Sequence, residues 1–392
     1  MAISLLQLCT NAERKYSMKL IAGSAGLENT VRWVHMVEDS EVPDFLHGNE
    51  LIFTTGIGHT GSDWLRNFTV SLRNKGAVGL VLNIGPYITY VPSQVIVFCE
   101  QNGFPLFTMP WETKIIDISY DFCRRIIANE KKESSVADAF RTIIKAPEKC
   151  SDFADVLKHS GFRTNSSYTV IAVSIFKGEK PVTESIVRSS DMTLWRTLKH
   201  SKQPSALFML GNQLIAIRQN CTNEEIDNFC ESIRPITEAE SDMRSYIGIS
   251  DRVTGYSDVS SAYKQAEAAM DTARIKSADR KFYSDIGVMK VLFGVTDKKI
   301  LEAFVEETLG TLRDYDDIHD TSLCSLLRQY IEMNGSVNEA AAAAGVHRNT
   351  INHKIKNIRE ILGTELDDKT KNKLMLAYLS RDVLEIYKNP FS

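Results

Sequence analysis

The feature that most constrains the fold of this 392-residue chain is a predicted pair of short helices within residues 335–363. Ser336 and Glu339 have the S-x-x-E spacing of a capping box, which satisfies free backbone amides at the start of a helix. A run of five alanines follows, which favours a helix and lets a second helix approach closely. Gly345 then breaks the helix, and a new one is expected to begin near His347. Two short helices joined by a glycine-containing turn predict a helix-turn-helix unit.

The second predicted helix has one apolar face and one polar face. Its apolar side chains recur at spacings of four, three and four: Ile351, Ile355, Ile358 and Leu362. Residues 346–359 include four basic residues and no acidic residue, so the polar face favours contact with phosphates. Glu360 would be repelled by phosphates, so we expect about the first two turns to enter the major groove of duplex DNA. A solvated surface helix in an ordinary bundle is the alternative interpretation.

The candidate DNA-binding side chains are polar and cluster at the start of this helix. They are His347, Arg348, Asn349, Thr350, Asn352, His353 and Lys356. The arginine, the asparagines and His353 are expected to read base edges, whereas Lys356 is placed for a phosphate. Because one such unit reads only a few base pairs, we expect a homodimer or a higher homo-oligomer on a two-fold or repeated site.

Composition excludes several classes of protein. The 46 Lys and Arg against 50 Asp and Glu give a net charge of −4, which excludes a uniformly basic nucleic-acid coat. The seven cysteines are scattered without a C-x-x-C pair, which is typical of reduced thiols in a reducing compartment. No apolar run reaches the roughly 20 residues of a membrane span, and residues 1–15 lack signal-peptide features. We therefore expect a soluble cytoplasmic protein without a metal, a cofactor or a membrane partner.

Three segments with different periodicities predict a multidomain fold. Residues 1–127 alternate short apolar runs (31–37, 51–55, 77–84, 105–109) with helical patterns (64–75, 92–101), which predicts an α/β domain with a largely parallel sheet. Residues 128–164 are interpreted as a helical connector. Residues 165–286 read as strand, helix, hairpin, helix, strand, helix and strand, the order of an antiparallel α+β palm. Residues 297–392 have helical patterns only and predict an all-α helix-turn-helix bundle.

The expected elements of the last two segments have definite positions. In the palm, strands are expected at 168–176, 206–210, 214–217, 246–249 and 282–284, and helices at 182–200, after 222 and at 258–276. In the bundle, helices are expected at 298–313, 322–333, in a pair over 336–362, and at 369–387.

One motif favours an enzyme instead. Residues 56–61 spell G-x-G-x-x-G between a predicted strand and a predicted helix, which is the spacing of a dinucleotide site. That site also needs a carboxylate at the end of the next strand, where this chain has Asn83 and no acidic residue before Glu100. A turn or a small anion site is the simpler interpretation. No residue is therefore assigned a catalytic role.

The motifs resemble, in order, the three domains of the PucR/CdaR-type bacterial transcription regulators. The helix-turn-helix of that family is similar at 346–350, 355, 358 and 361–363, with flanking similarity at 301–315, 323–334 and 366–384. Its N-terminal domain is similar at 21–23, 31–35, 50–56, 76–83 and 106–110. Its degenerate GGDEF-like domain is similar at 247–250, 255–257, 262–263 and 266–269. Asn352 and His353 stand where the family often has a basic or aromatic pair, which leaves the preferred DNA sequence open.

The resemblance implies a ligand-sensing N-terminal domain, a cyclase-palm-like middle domain and a DNA-binding C-terminal domain. The expected function is a transcription regulator that controls a catabolic operon, for purines or a related nitrogen or carbon source, through effector-dependent rearrangement of a dimer. Candidates for the effector pocket combine an aromatic face with hydrogen-bonding groups near strand ends, where open sheets bind ligands. They are Trp33, His35, Glu38, Thr55 and Asn83. A core tryptophan and an ordinary structural histidine are the alternative for single members of this set.

The palm leaves two further interpretations open. An active diguanylate cyclase holds divalent metal ions with carboxylates at the end of its first strand and in its hairpin. Here those places read Ser-Ile-Phe-Lys at 174–177 and Leu-Gly-Asn-Gln-Leu at 210–214, without a carboxylate. The competing class is still an enzyme. It would be either an NAD-dependent oxidoreductase that uses residues 56–61 or a residual cyclase that uses the palm. A palm that binds a nucleotide without turning it over is the other alternative.

Overall fold

The computed structural model describes residues 3–38, 46–59, 61, 63–184, 186, 203–234 and 242–388. Contacts divide the chain into two compact units. The first contains the described residues of 1–164, 190–207 and 221–232, and the second contains those of 165–189, 208–220 and 233–392. The predicted helix at 182–200 lies largely outside the described residues. In the part of the chain that the structure describes, no helix is long and apolar enough to cross a membrane.

The first unit is built around a five-stranded sheet in the order β2-β7-β6-β5-β4. Its strands are β2 (Lys19–Ala22), β4 (Trp33–Met36), β5 (Glu50–Thr54), β6 (Gly79–Ile84) and β7 (Leu106–Pro110). Strands β4 to β7 are parallel, whereas β2 pairs antiparallel with β7. A separate antiparallel pair joins β1 (Ile3–Ser4) to β3 (Thr30–Val31). The sheet is therefore largely parallel, as predicted, with β2 as an additional antiparallel edge.

Helices cover both faces of this sheet. They are α1 (Leu5–Leu8), α2 (Ala12–Tyr16), α3 (Trp64–Asn74), α4 (Ser93–Gln101) and the first half of α5 (Ile115–Lys145), while α6 (Ala154–His159) packs against α5. Phe53 of β5 faces one hydrophobic core together with Phe122 of α5, while Ile52 faces a second core with Phe68 of α3. Every residue of β5 is consequently buried, as expected for a central strand with helices on both sides.

A second sheet, most of which lies in the second unit, has the order β10-β11-β8-β12-β14. Its main strands are β8 (Ser167–Lys177), β10 (Ser205–Leu210), β11 (Gln213–Gln219), β12 (Met243–Ile249) and β14 (Arg280–Phe282), and the short strands β9 (Lys180–Pro181) and β13 (Val253–Thr254) pair with β8. Central strand β8 is antiparallel to both β11 and β12. Helix α8 (Val259–Ile275) packs against this sheet. Helix α7 (Asn223–Glu231) belongs to the first unit, and Thr222 and Glu225 form a reciprocal capping box at its start.

The C-terminal part of the second unit is helical throughout its described residues. Its helices are α9 (Met289–Gly294), α10 (Lys298–His319), α11 (Leu323–Glu332), α12 (Val337–Ala344), α13 (Arg348–Leu362) and α14 (Asp368–Lys388). Leu327 of α11, Ile358 of α13 and Tyr378 of α14 meet in one buried cluster. A second cluster joins Ala269 of α8 to Leu301 of α10 and Val383 of α14. The bundle and the palm therefore share a core along α8.

The structure departs from the predicted elements in a few places. The strand expected at 31–37 is divided at Arg32, because β3 pairs with β1 whereas β4 pairs with β5. The last palm strand lies at Arg280–Phe282, slightly earlier than expected. Helix α5 runs without a break across residue 127, the expected end of the N-terminal domain. The division into three domains with a connector stays a prediction.

Candidate functional site

The turn between α12 and α13 fixes the start of the basic helix. The Ser336 hydroxyl accepts the Glu339 N–H at 3.3 Å, which caps α12. Gly345 follows with φ +62°, a left-handed conformation that glycine adopts without steric cost. His347 then caps α13, since its Nδ1 accepts the Asn349 N–H at 3.3 Å. The helix therefore begins at Arg348, one residue after the predicted position, and His347 acts as its cap in this structure.

The apolar face of α13 is buried as its spacing predicted. Ile351, Ile355 and Ile358 are at most 4% exposed, and Leu362 is half-buried at the end of the helix. They pack in the same cluster as Ala340 and Ala341 of α12, whose small side chains permit close approach of the two helices. This packing holds α13 in one orientation and leaves its other face outside.

The exposed face of α13 presents most of the predicted DNA contacts together. At 100° per residue, Asn349, Asn352, His353 and Lys356 fall within one arc of about 100°. Arg348 lies about 40° beyond one edge of this arc, and Thr350 lies about 60° beyond the other edge. All seven candidate residues are exposed. We call the exposed set Arg348, Asn349, Asn352, His353 and Lys356 the basic–amide face.

Charge on this face is available for a ligand. Lys356 Nζ lies 3.8 Å from Glu360 Oε1, and both side chains are more than 60% exposed. An ion pair this open to water contributes little and is easily exchanged for a phosphate. The partial positive charge at the start of α13 adds to the attraction for an anion.

Two polar contacts that sequence reasoning missed hold the helices behind α13. The Asp316 carboxylate on α10 accepts the N–H groups of Leu323 at 2.7 Å and Cys324 at 2.8 Å, and so caps α11. Burial raises the pKa of Asp316, but these bonds and one from the Thr321 hydroxyl outweigh that effect and lower it overall. Arg328 of α11 forms a two-pronged ion pair with Asp382 of α14, at 2.6 and 2.7 Å.

In the first unit, three of the five effector candidates lie at the carboxyl edge of the parallel strands. Glu38, just beyond β4, accepts the Thr55 N–H at 2.9 Å and the Thr55 hydroxyl at 2.7 Å, where β5 ends. Asn83 near the end of β6 donates to the Pro110 carbonyl on β7 at 2.9 Å. Neighbouring strand ends are thus tied together at the place where open sheets bind ligands.

The other two candidates lie elsewhere on β4. Trp33 starts this strand and pairs with Glu50, so it lies about 16 Å from Glu38 along the chain direction. It is 49% exposed. His35 is also exposed and sits in mid-strand opposite Ile52. The structure therefore does not bring Trp33 next to the Glu38–Thr55 contact.

Aromatic residues that sequence reasoning did not select follow the same strand ends. His59 stacks on Trp64 with ring centroids 4.1 Å apart, in the segment between β5 and α3. Tyr87, after β6, meets the edge of Trp111, after β7, at 5.9 Å, and both are more than 40% exposed. The sequence contained a signal for these aromatic residues. His59, Tyr87 and Trp111 each follow a parallel strand, and Trp64 begins the helix after the first of those strands.

The glycine-rich motif at residues 56–61 does not offer the free backbone N–H group that a dinucleotide site requires at Gly56. Gly56, Gly58 and Gly61 all have positive φ, and the His59 N–H donates to the Gly56 carbonyl at 3.3 Å, so residues 56–59 form a tight turn after β5. The Gly56 N–H, which would face a pyrophosphate, already donates to the Glu38 carboxylate at 3.0 Å. A carboxylate at that position repels a phosphate. The loop geometry therefore disfavours the NAD-binding alternative.

The palm carries a polar cluster at its hairpin. The Tyr263 hydroxyl lies 2.9 Å from both Gln213 Oε1 and Glu267 Oε1, and Gln213 Nε2 donates to Glu267 at 3.3 Å. Gly211 turns the hairpin with φ +58°. Among the residues that the structure describes, no group of three or more His, Cys, Asp or Glu side chains is placed to hold a metal ion.

Family comparisons cover most of the chain in three parts. Residues 7–126 match the purine catabolism regulatory protein-like family, residues 146–272 match the GGDEF-like domain, and residues 323–379 match the PucR C-terminal helix-turn-helix domain. The last of these includes α12, the turn and α13.

Three Bacillus subtilis (strain 168) proteins are similar over parts of their length. The purine catabolism regulatory protein is 32% identical over 104 residues, 25% of this chain and 19% of the relative. The DNA-binding transcriptional activator AdeR is 28% identical over 31% of this chain and 29% of its own length. The proline-responsive transcriptional activator PutR is 26% identical over 33% of each chain. The matched part thus spans a third or less of these relatives.

Among solved structures, the chain is similar to the crystal structure of a regulator of polyketide synthase expression from Bifidobacterium adolescentis. The match covers 63% of this chain and 96% of the other, with 15% identity and a TM-score of 0.31.

Proposed function

Because this chain has all three domains of the PucR-type regulators and so belongs with them, we propose that it is a DNA-binding transcription regulator. The observation that carries the proposal is the basic–amide face of α13, which is exposed while the isoleucines behind it are buried. An α-helix of this kind fits the major groove, where each base pair presents a distinct pattern of donors and acceptors.

Each part of the face has a separate role in the proposed complex. Arg348, Asn349 and the amide and imidazole groups one turn later donate to and accept from base edges. Lys356, in the third turn, contacts a phosphate and fixes the depth of the helix in the groove. The Lys356–Glu360 pair opens to allow this contact, since it is solvent-exposed and weak.

The first unit is proposed to bind a small-molecule effector at the carboxyl edge of its sheet. Support comes from the linked strand ends at Glu38, Thr55 and Asn83, and from the aromatic pairs in the adjacent loops. Trp33 and His35 stay weaker candidates, because they lie along β4 away from that edge. An effector acts only if it binds one arrangement of the protein better than another.

The regulated genes are proposed to be a catabolic operon for purines or a related nitrogen or carbon source. The names of two matched relatives, one for purine catabolism and one responsive to proline, support this class. The protein is proposed to work in the bacterial cytoplasm as a homodimer, because one α13 reads too few base pairs for a specific site.

We favour a regulator over an enzyme for two reasons. The three matched relatives are named as a regulatory protein of purine catabolism and two transcriptional activators. In addition, the Gly56 N–H is occupied by Glu38, and the palm hairpin at 210–214 offers amides in place of metal-binding carboxylates. Bound NAD or turnover of GTP in purified protein would favour the enzyme.

The test is recovery of chromosomal fragments. Full-length protein is mixed in dilute buffer with sheared DNA from its own chromosome, with and without purine breakdown products, amino acids and organic acids, and the bound fragments are sequenced. We expect a few promoter fragments to be enriched, and the Arg348→Ala, Asn349→Ala double variant to lose that enrichment. The Lys299→Gln variant, changed at an exposed position on α10, should retain it. Recovery of all fragments in equal proportion by the unaltered protein would contradict the proposal.

A further inference from the structure

A cavity of about 420 Å³ opens in the second unit beside helix α8 of the palm. Its wall contains Lys264 of α8, Lys290 and Phe293 of α9, and Tyr283 just before them. Lys298 of α10 and Tyr387 near the end of α14 complete this part of the wall. The volume is within the range of small-molecule sites, which is roughly 300–1,000 Å³. The family and relative comparisons assign nothing to this position.

The charges on the cavity wall have one sign. Three of the lining residues are lysines, and none is an aspartate or glutamate. A ligand that enters the cavity therefore meets positive charge from α8, α9 and α10 together. Ammonium groups that line one cavity repel one another, and an anion bound among them relieves that repulsion.

Lys298 is oriented by its surroundings but keeps capacity for a ligand. Its Nζ donates to the Val295 carbonyl at 2.7 Å and the Phe293 carbonyl at 3.4 Å, and it lies 4.1 Å from the centre of the Tyr387 ring. An ammonium group has three donors, so one is left after the two carbonyls. Burial lowers the pKa of Lys298, and a bound anion would raise it again.

Aromatic rings provide the second half of the site. Lys290 Nζ lies 4.7 Å from the centre of the Tyr283 ring, and the Phe293 and Tyr387 ring centroids are 6.3 Å apart. The rings offer apolar surface directly beside the ammonium groups. A ligand with a compact negative group and a flat or aliphatic body matches both features.

We propose that this cavity binds a small organic acid, with its carboxylate among Lys264, Lys290 and Lys298 and its body against the tyrosine and phenylalanine rings. Lysines act as point charges and suit a single carboxylate. The lining contains no arginine, so it lacks the planar fork that would hold a phosphate by two parallel hydrogen bonds. This site is separate from the effector edge proposed in the first unit.

The wall of the site connects the palm to the helical bundle that contains the proposed DNA-binding helix. Its wall joins α8 to α9, α10 and α14, and the buried cluster beneath it contains Ala269, Leu301 and Val383. An acid bound there ties the palm to the bundle that carries α13. This consequence for DNA binding rests on the proposed function, whereas binding of the acid itself does not.

The test is isothermal titration calorimetry on the full chain without DNA. Benzoate, phthalate and citrate are the probes, and benzamide is the neutral counterpart of benzoate. We expect at least one acid to bind once per chain, and benzamide to give no binding. Lys264→Gln and Lys290→Gln should each weaken the acid about 10-fold, the loss typical of one charge-assisted hydrogen bond. Lys299→Gln, on α10 but outside the cavity wall, should bind like the unaltered protein.

Three results would overturn the proposal. The first is that none of the acids binds. The second is unchanged affinity in both lysine variants, with folding confirmed by circular dichroism. The third is competition by inorganic phosphate as effective as by the carboxylates, which would indicate a general anion site. Failure to bind DNA would leave the calorimetric result intact, so the two proposals are tested separately.

Discussion

At the scale of single residues, the Asp316 carboxylate holds the start of α11. We predict that Asp316→Asn lowers stability by about 1 kcal/mol at pH 7, because a charged helix cap is replaced by a neutral one. The folded-state pKa of Asp316 is lowered, so the stabilisation from ionisation is fully present above its unfolded value of about 3.9 and is lost as the pH falls through the folded value. Urea unfolding at pH 7 and pH 3 measures this.

Asp317→Asn is the matched control, because Asp317 is the exposed next residue on the same helix. The difference between Asp316→Asn and the unaltered protein should shrink between pH 5 and pH 3, while Asp317→Asn stays close to the unaltered protein throughout. A deficit of Asp316→Asn that is equally large at both pH values would contradict a role for the charge.

Gly248 in β12 is required by close packing. A Cβ atom there would lie 1.9 Å from the Ala266 carbonyl oxygen and 2.2 Å from the Met270 nitrogen on α8. We predict that Gly248→Ala costs about 1–3 kcal/mol of stability, the usual cost of overpacking, because helix backbone must move. Gly294→Ala is the control, since no atom lies within 4 Å of its added Cβ. Equal unfolding midpoints for the two variants would disprove the packing argument.

At the scale of elements, the Arg328–Asp382 ion pair ties α11 to α14. Asp382 is 8% exposed in its side chain and Arg328 is 24% exposed, so removing Asp382 leaves a poorly hydrated guanidinium whose remaining partner is the more exposed Glu332, at 2.9 Å. We predict that Asp382→Ala costs about 3 kcal/mol, and that the Arg328→Met, Asp382→Leu double variant loses much less. Chemical unfolding of the single and double variants measures the coupling free energy between the two side chains. If the losses of Arg328→Met and Asp382→Leu simply add in the double variant, the predicted coupling is wrong.

Periodicity in the sequence predicts elements but not the contacts between them. The spacing of Ile351, Ile355 and Ile358 was enough to predict the buried face of α13, because a helix brings those positions together locally. The partners Arg328 and Asp382 are 54 residues apart, and no spacing rule pairs them. Glu38 likewise meets Thr55 only because β4 and β5 are adjacent in the sheet.

The effector candidates also differ in whether the sequence could predict their positions. Strand ends can be located from the apolar runs, and the structure places Glu38, Thr55 and Asn83 at the carboxyl edge of the sheet. Whether they bind an effector stays a prediction. Trp33 was selected by residue type, and its position at the start of β4 follows from strand register, which the apolar pattern does not specify.

At the scale of the whole molecule, the proposed dimer sets the geometry of the operator. Two copies of α13 in successive major grooves require half-sites about 10–10.5 base pairs apart, or a multiple of that spacing. We predict a sedimentation mass of two chains and a DNase I footprint with two protected half-sites at that spacing. A monomer that protects a single half-site with full affinity would contradict the proposed dimer.

The most direct test of the central claim compares affinity for an enriched promoter duplex with affinity for a scrambled duplex, by fluorescence anisotropy over a range of salt concentrations. Asn349→Ala should weaken specific binding by about 1–3 kcal/mol and so reduce the ratio of the two affinities. Lys356→Gln should weaken both affinities alike, keep the ratio and lower the salt slope by about 1. An unchanged ratio in Asn349→Ala, with the protein folded, would contradict base reading by the exposed face of α13.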